Sequence, residues 1–479
     1  RVDENGLVNY AEIIGGEEVT NGDFSGGSTG WTVNNSDADN YVVFDGSTAR
    51  LKFLNTSPVT ELKTTDAILT GGKTYKLIVD IASVTSGMVK VDGNGISELF
   101  NTVGVNTRII QPTVNGSLGF YRATGNVDLT FNSVSLKEVT RDNVPRIDYT
   151  GGGCPHILAE PQRTNLSNQN VSAWGVTNIT RIANDAISPD GTQNATRITA
   201  TSTAQPRTET GASGGVPATD TTYTFSVFVK KGNTPYIALS RFSGSQNAIF
   251  NLDAKSIVYS NTENATIEEI SNGWFKISIT QTVLSTDSYN LWKVNLTNGS
   301  LTNVGVVGEY MYVWGGQVEQ GSYATSYIPT SGSTVTRNQD IFTRDGIGSL
   351  IGTEGVLFIE MAALSNDGTN RGISLNDGTQ TNRLLLYFSS SSNQISVIST
   401  GFTGSITYTL PDETLFNKIA VRYKANDITL WVDGESRGTP ITSATIPTFT
   451  ALKFNSGSLS SPFFGKVKQL QVYDTALTD

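Results

Sequence analysis

The side chains in this sequence best suited to chemistry are aromatic rings and amides. Six tryptophans (Trp31, Trp174, Trp274, Trp292, Trp314 and Trp431) and 17 tyrosines stand among segments rich in Asn and Asp. A flat apolar ring suits the C–H face of a pyranose, and amides and carboxylates suit its hydroxyls, so this inventory favours sugar recognition. The catalytic inventory is thin by comparison. One His, one Cys and three Met leave little for a thiolate, an imidazole base or a soft metal centre. Cys154 and His156 have a spacing a metal can use, but no third or fourth ligand stands nearby, and a turn-packing role is the plainer reading. Glycoside hydrolysis needs two carboxylates about 5–10 Å apart on a rigid cleft, and no such pair stands out among the 43 acidic residues.

Position separates the aromatic residues. Trp31 and Trp174 occupy equivalent places after two similar turns, and Trp274 follows Asn272-Gly273 at a strand start; all three read as core. Trp292 is the better ligand candidate. In SYNLWKVN, period 2 puts Tyr289, Leu291 and Lys293 on one face and Asn290, Trp292 and Val294 on the other, with aromatic character on both. Tyr310, Tyr312 and Trp314 alternate and share a face, either the core stripe of a sandwich or an aromatic binding platform.

The rest of the composition says what must position these groups. Of 479 residues only 16% are charged, 37% are hydrophobic and 48 are Gly, a mixture suited to short strands joined by tight turns. Lys+Arg 33 against Asp+Glu 43 gives a net charge of −10 with no basic cluster, which argues against nucleic acid as a partner. There is no run of about 18 apolar residues, so no membrane insertion is expected. The amino end RVDENGLVNY lacks a signal pattern and begins without Met, as a processed product or part of a longer chain would.

Two related stretches repeat one order: an Asn-rich turn with a Trp, an alternating strand, and a closing strand. The first runs from Asn21 through TYKLIVDIAS to Val139, the second from Asn165 through TYTFSVFVKKG to Gly321. Tyr75, Leu77, Val79 and Ile81, and again Tyr223, Phe225, Val227 and Val229, each line one face of a strand. Strand signals resume after Gly355, and Phe416 to Glu435 reads as a hairpin turning at Lys424-Ala425-Asn426-Asp427. No long amphipathic helix is visible. The predicted fold is all-β, a tandem of antiparallel β-sandwiches. The predicted boundaries are an amino-terminal framework segment 1–16, a first module 17–140, an ordered connector 141–166, a second module 167–330, a linker 331–346 and a last domain 347–479.

The segments NGDFSGGSTGW, YKLIVDIAS and VDLTFNSVSLKEV resemble the jelly-roll carbohydrate-binding modules found beside glycan-degrading enzymes and in phage fibres. Residues 174–321, with NGWFKISIT, resemble the same modules. The last stretch, through KIAVRYKANDITLWVDGE and KVKQLQVYDTAL, resembles the concanavalin A-like lectin/glucanase, or laminin G-like, sandwich. RVDENGL, NVPRIDYTGGGCPHILAEPQRTNL and GSYATSYIPTSGSTVTRNQD together look like a recurring framework of bacteriophage tail-fibre or virion-appendage proteins, with the first module inserted between Leu7 and Asn143.

These resemblances imply a non-enzymatic virion-surface protein, with a secreted bacterial adhesin or enzyme accessory region as the alternative. Its partners would be host or environmental glycans and other virion proteins, and its assembly a homo-oligomer, a trimer first. A purely structural decoration without sugar binding is a further alternative. Related jelly rolls carry structural Ca²⁺, which Asp23 with Asp128 could hold in the first module and Glu309 or Glu319 in the second. In the last domain Asp367, Asn370, Asn376 and Asp377 stand in SNDGTN and LNDGTQ, either Ca²⁺ ligands or ordinary turns. Glucanases of the concanavalin A-like fold carry Glu-x-Asp-x-x-Glu on a strand. Here Glu360 stands alone, with Ala362 and Ser365 where the partners would be.

Overall fold

The computed structural model describes residues 1–479 except 10–11, 55–58, 141–143, 145, 152–153, 168–169, 211–218, 242–246, 288–290, 301–303, 331–332, 401–403 and 478–479. The chain is all-β: antiparallel strands throughout, and a single 3-10 turn, Val171–Ala173, among the described residues. No helix is long and apolar enough to cross a membrane. The chain divides into two compact units, Glu12–Val144 and the combination of Arg1–Ala11 with Pro145–Asp479.

In Glu12–Val144, two long strands, Tyr75–Gly93 and Gly119–Thr140, pair along most of their length. Shorter strands extend the sheet on either side of this pair. Tyr75, Leu77, Val79 and Ile81 are buried while their neighbours are not, the period-2 alternation the sequence predicts. Trp31 is buried in the same core and its indole N–H donates to Asn21 O at 3.0 Å.

The other unit holds two sandwiches. In the first, six strands ordered Ile179–Ala186, Ala195–Ala200, Tyr310–Gln320, Thr221–Lys231, Trp274–Val283 and Asn264–Glu269 face a second six-stranded sheet. Tyr223, Phe225, Val227 and Val229 point between them into one core with Trp174. Gly316 is required there: a Cβ would stand 2.2 Å from the Trp174 ring.

In the last sandwich a seven-stranded and a six-stranded sheet enclose a third core. The hairpin expected at Lys424–Asp427 joins strands Asn417–Lys424 and Asp427–Val432, with Asn426 at φ 59°. The connector and linker segments are not passive. Strands Arg146–Asp148 and His156–Ala159 extend the seven-stranded sheet, Thr343–Asp345 joins the six-stranded one, and Arg163–Asn165 pairs with Val335–Arg337.

Arg1–Ala11 belongs with this second unit. Val2 N donates to Asp148 Oδ1 at 2.7 Å, Tyr149 N to Val2 O at 3.0 Å, and Ser271 Oγ to Gly6 O at 2.5 Å. The first unit is thus continuous in sequence and flanked on both sides by residues of the other. Excising Glu12–Val144 and joining the cut ends with a short Gly/Ser linker should leave the remaining chain cooperatively folded, measured by thermal unfolding. A broad, non-cooperative transition would count against this.

Candidate functional site

Trp314, Tyr312 and Tyr310 lie on the outer face of the first six-stranded sheet of the second unit. Strand pairing sets the row: Tyr310 stands opposite Thr199, Tyr312 opposite Arg197 and Lys230, and Trp314 opposite Phe228. Directly opposed residues share a face. Met311 and Val313, between them, point into the sandwich core. The row is therefore not the core stripe, yet it is not open along its whole length. Val2 and Val8 pack with Trp314, Phe228 and Trp274 in a separate cluster, and the Tyr327 ring lies 4.7 Å from that of Trp314. Trp314 is only 9% exposed, so its expected sugar-stacking role is corrected to an anchor for this roof.

The roof reaches the edge of Tyr312, which packs partly against it, and stops short of Tyr310; both remain half-buried. Their rings meet edge-on, 5.8 Å apart at 84°. The Arg197 guanidinium lies 5.5 Å from the Tyr310 ring centre and is held by Asp185 at 3.3 Å. Tyr310 is seated closely, because a Cβ on Gly232 would stand 2.5 Å from its ring, and Tyr310 N donates to Asn233 Oδ1 at 2.8 Å. Burial, then the neighbouring Tyr310 and Asp185, push the Tyr312 hydroxyl above its usual range against the pull of Arg197, so it stays a neutral donor. Two fixed rings flanked by a cation, a carboxylate and hydroxyls can stack on a sugar and bond its rim.

Trp292 is elsewhere. It is 0% exposed, packs 5.7 Å from Phe225 in the sandwich core, and cannot meet a ligand at the surface. Every residue of its strand, Trp292–Leu296, is buried, Lys293 and Asn295 included, so the mixed faces of SYNLWKVN do not mark a surface. Tyr289 lies outside the described residues. Trp174 is in the sandwich core, as expected, whereas Trp274, also buried, lies in the outer-face cluster with Val2, Val8 and Trp314.

Among the six tryptophans only Trp431 escapes burial, a residue the sequence reading passed over. It stands on the outer face of the seven-stranded sheet opposite Ala420 and Ser436, with Phe358 on the far side of Ala420. Its alternation with buried Leu430 and Val432 was a usable signal. Acrylamide should therefore quench the intrinsic fluorescence only partially, and Trp431→Phe should abolish most of the quenchable fraction. Equal quenching in that variant would contradict the assignment.

The expected Ca²⁺ ligands other than Glu309 are engaged by protein groups. Asp23 accepts from Ser25 N and Oγ, at 3.2 and 2.9 Å, within its own turn. Asp128 is gripped by Arg50 through both carboxylate oxygens at 2.8 Å. Asp367 accepts from Thr369 N at 3.1 Å and pairs with Arg371, and Asp377 accepts from Thr379 N and Oγ1 and from Asn382 Nδ2. Glu309 Oε2 is buried and without a partner, whereas Glu319 takes both Thr325 donors. No group of three or more His, Cys, Asp or Glu able to hold a metal occurs among the described residues. Asp23, Asp128, Asp367 and Asp377 form turns and ion pairs, and a metal at Asp128 would first have to displace Arg50. His156 is buried against Phe416 beside Asp148, while Cys154 is exposed, so the two do not act together. Burial lowers the His156 pKa to about 4 against the pull of Asp148. Glu360 lies on a strand opposite Lys418 and Gln469.

No curated protein matches the chain. Among solved structures it is distantly similar to the CBM40 of the Ruminococcus gnavus IT-sialidase, at 18% identity over 28% of this chain and 81% of that one, with a TM-score of 0.24. It is likewise similar to domains LG4-5 of the mouse laminin alpha1 chain, at 12% identity over 54% and 86%, TM-score 0.23. A third likeness is to the N-terminal CBM22 tandem of Paenibacillus barcinonensis Xyn10C, at 11% identity over 66% and 99%, TM-score 0.25. Residues 357–479 match the concanavalin A-like lectin/glucanases superfamily, within the seven- and six-stranded sandwich described above. That carboxy-terminal sandwich is a concanavalin A-like, laminin G-like domain.

Proposed function

We propose that this chain is a non-catalytic adhesion protein of a phage virion appendage, exposed at the virion surface, that binds host or environmental glycans. The observation that carries the glycan reading is the Tyr310–Tyr312 pair, half-exposed at the edge of a roof that buries Trp314 and Phe228 on the same sheet face. A lectin-like domain in the same chain supports it. The virion setting rests on the framework resemblance of RVDENGL and the two connector segments. One open platform gives weak binding, and several copies in a symmetric assembly, a trimer first, convert weak sites into avidity.

A glycan array probed with the purified chain tests the reading. Tyr312→Ala should weaken binding of any glycan hit by at least about tenfold, or 1.4 kcal/mol, with little change in melting temperature. Gly232→Ala, whose Cβ would press on the Tyr310 carbonyl oxygen at 2.3 Å and on its ring at 2.5 Å, should weaken the same hit. Retained binding in both variants would remove the platform from the mechanism, and turnover of a polysaccharide would overturn the non-catalytic part.

A further inference from the structure

The same sheet that carries Tyr310 and Tyr312 has a second feature at its opposite edge. There the strand Asn264–Glu269 turns Asn264, Thr266 and Glu268 outward, while Ala265 and Ile267 pack on the core. Across from them stand residues 363–367 and Lys466 of the last sandwich, with the return segment 322–327 between. A cleft of about 880 Å³ lies between these walls, within the roughly 300–1,000 Å³ range of ligand sites, which favour domain junctions.

Its walls are fixed to one another. Ser322 Oγ donates to Asp367 Oδ2 at 3.1 Å, linking the return segment to the last sandwich. Lys276 Nζ donates to Thr325 O at 2.5 Å, linking it to the first. Behind the cleft, Ser326 N donates to the buried Glu160 Oε1 at 2.8 Å. Such a cleft is pre-formed, so a ligand need not order it.

The groups facing the space define its ligand. The Asn264 amide, the Glu268 carboxylate, the Tyr323 hydroxyl and the Lys466 ammonium line it and make no side-chain hydrogen bond among the described residues. Burial pushes the Tyr323 hydroxyl up to about 12, so it remains a neutral donor, and its ring is braced by Arg163 at 5.4 Å. Asp148, Glu160, Glu263, Glu268 and Asp367 outnumber Arg1, Lys276 and Lys466 in the lining, so there is no excess positive charge to hold a phosphate or a polyanion. Amides, hydroxyls and charges of both signs beside an aromatic ring suit a neutral molecule dense in hydroxyls.

We infer that this cleft is a second saccharide site, separate from the Tyr310–Tyr312 face, that takes a short neutral oligosaccharide in contact with both sandwiches. The inference rests on the glycan-binding reading but involves different residues. Calorimetric titration of the full chain with maltohexaose, cellohexaose and xylohexaose tests it. At least one of them should bind wild type at two sites, and Thr266→Trp, which fills the cleft from an exposed position, should remove one. Tyr312→Ala should remove the other, and Glu268→Gln, which keeps the shape, should weaken the cleft site alone. Binding lost with Tyr312→Ala but unchanged in both Thr266→Trp and Glu268→Gln would overturn the inference and leave the proposed function standing. No binding of any of the three by wild type would overturn the inference, and an empty glycan array besides would overturn the proposed function with it.

Discussion

Arg146→Met should destabilise the two-sandwich unit by about 3–5 kcal/mol, because it leaves Asp340 in the interior without its cation and takes one of two arginines from Glu160. Arg146 donates to Glu160 Oε2 at 2.5 Å and also bonds Asp340, while Arg337 meets Glu160 Oε2 at 2.9 Å. Backbone bonds close the same knot: Glu160 N donates to Asp340 Oδ2 at 2.6 Å and Asp340 N to Glu160 O at 3.0 Å. Both arginines and both acids are nearly or wholly buried. The four belong to the segments between and around the sandwiches, so the knot fixes the connectors rather than either core. Thermal unfolding of the full chain checks the result. The double variant Arg146→Met, Asp340→Leu should recover part of the loss, since it leaves Glu160 paired with Arg337. A melting temperature in Arg146→Met equal to wild type would refute the role.

The pH dependence of that deficit has a definite sign. Burial alone would raise the Glu160 pKa, but Arg337 and Arg146 overcome it and hold the carboxyl below its usual range. Its stabilisation is therefore fully present above about pH 4.3, the unfolded value, and is lost as pH falls through the lower folded one. Asp340 is pushed up, by burial ahead of the attraction of Arg146, so its ionised form is a cost that acidification relieves. Removing Arg146 raises Asp340 further and brings Glu160 up toward its usual range. The gap between wild type and Arg146→Met should therefore narrow as pH falls through the raised Asp340 value, above the ordinary 3.8 of an aspartate.

Trp292→Ala is the second large effect expected, about 3–5 kcal/mol from loss of a fully enclosed indole. Trp292 packs on Phe225, while Trp292 N donates to Thr210 Oγ1 at 3.1 Å and Thr210 N to Trp292 O at 2.9 Å. Its indole N–H is buried without a partner among the described residues. Trp292→Phe should therefore be milder, since it removes an unsatisfied donor along with the volume. Calorimetric melting of both variants gives the order. A Trp292→Ala chain with normal stability and lost glycan binding would restore Trp292 as a ligand residue and contradict its placement.

The contrast between Trp292 and Tyr312 shows how far local pattern carries. Each belongs to a strand with aromatic residues at period 2. Around Trp292 both faces of the strand are covered, so the mixture of Trp, Lys and Asn signalled burial on two sides rather than a surface site. Around Tyr312 the shared face of Tyr310, Tyr312 and Trp314 was legible, but the side it faced was not. Val2 and Val8, more than 300 positions away in sequence, decide which of the three is roofed. The cleft at Asn264 and Glu268 was invisible for the same reason, since its far wall comes from residues 363–367.

The connectors make the reverse point. Their Pro and Gly content predicted ordered, non-periodic chain, and they do lack a long period. Yet His156–Ala159 adds to a sheet whose strands, Arg146–Asp148 apart, begin nearly 200 residues later, and Arg146 finds Asp340 across a similar gap. Hydrogen-bonding capacity is present in every peptide, and only proximity decides where it is used.

The sequence by itself determined the strands, their inward sets and the hairpin at Asn426, because side-chain alternation and turn residues act over a few positions. Tertiary structure alone decided what covers each outward face: the roof over Trp314, the opening at Tyr310 and Tyr312, the exposure of Trp431 and the knot at Arg146. Alternation states which residues share a face, but whether that face meets water depends on which distant segment lands upon it.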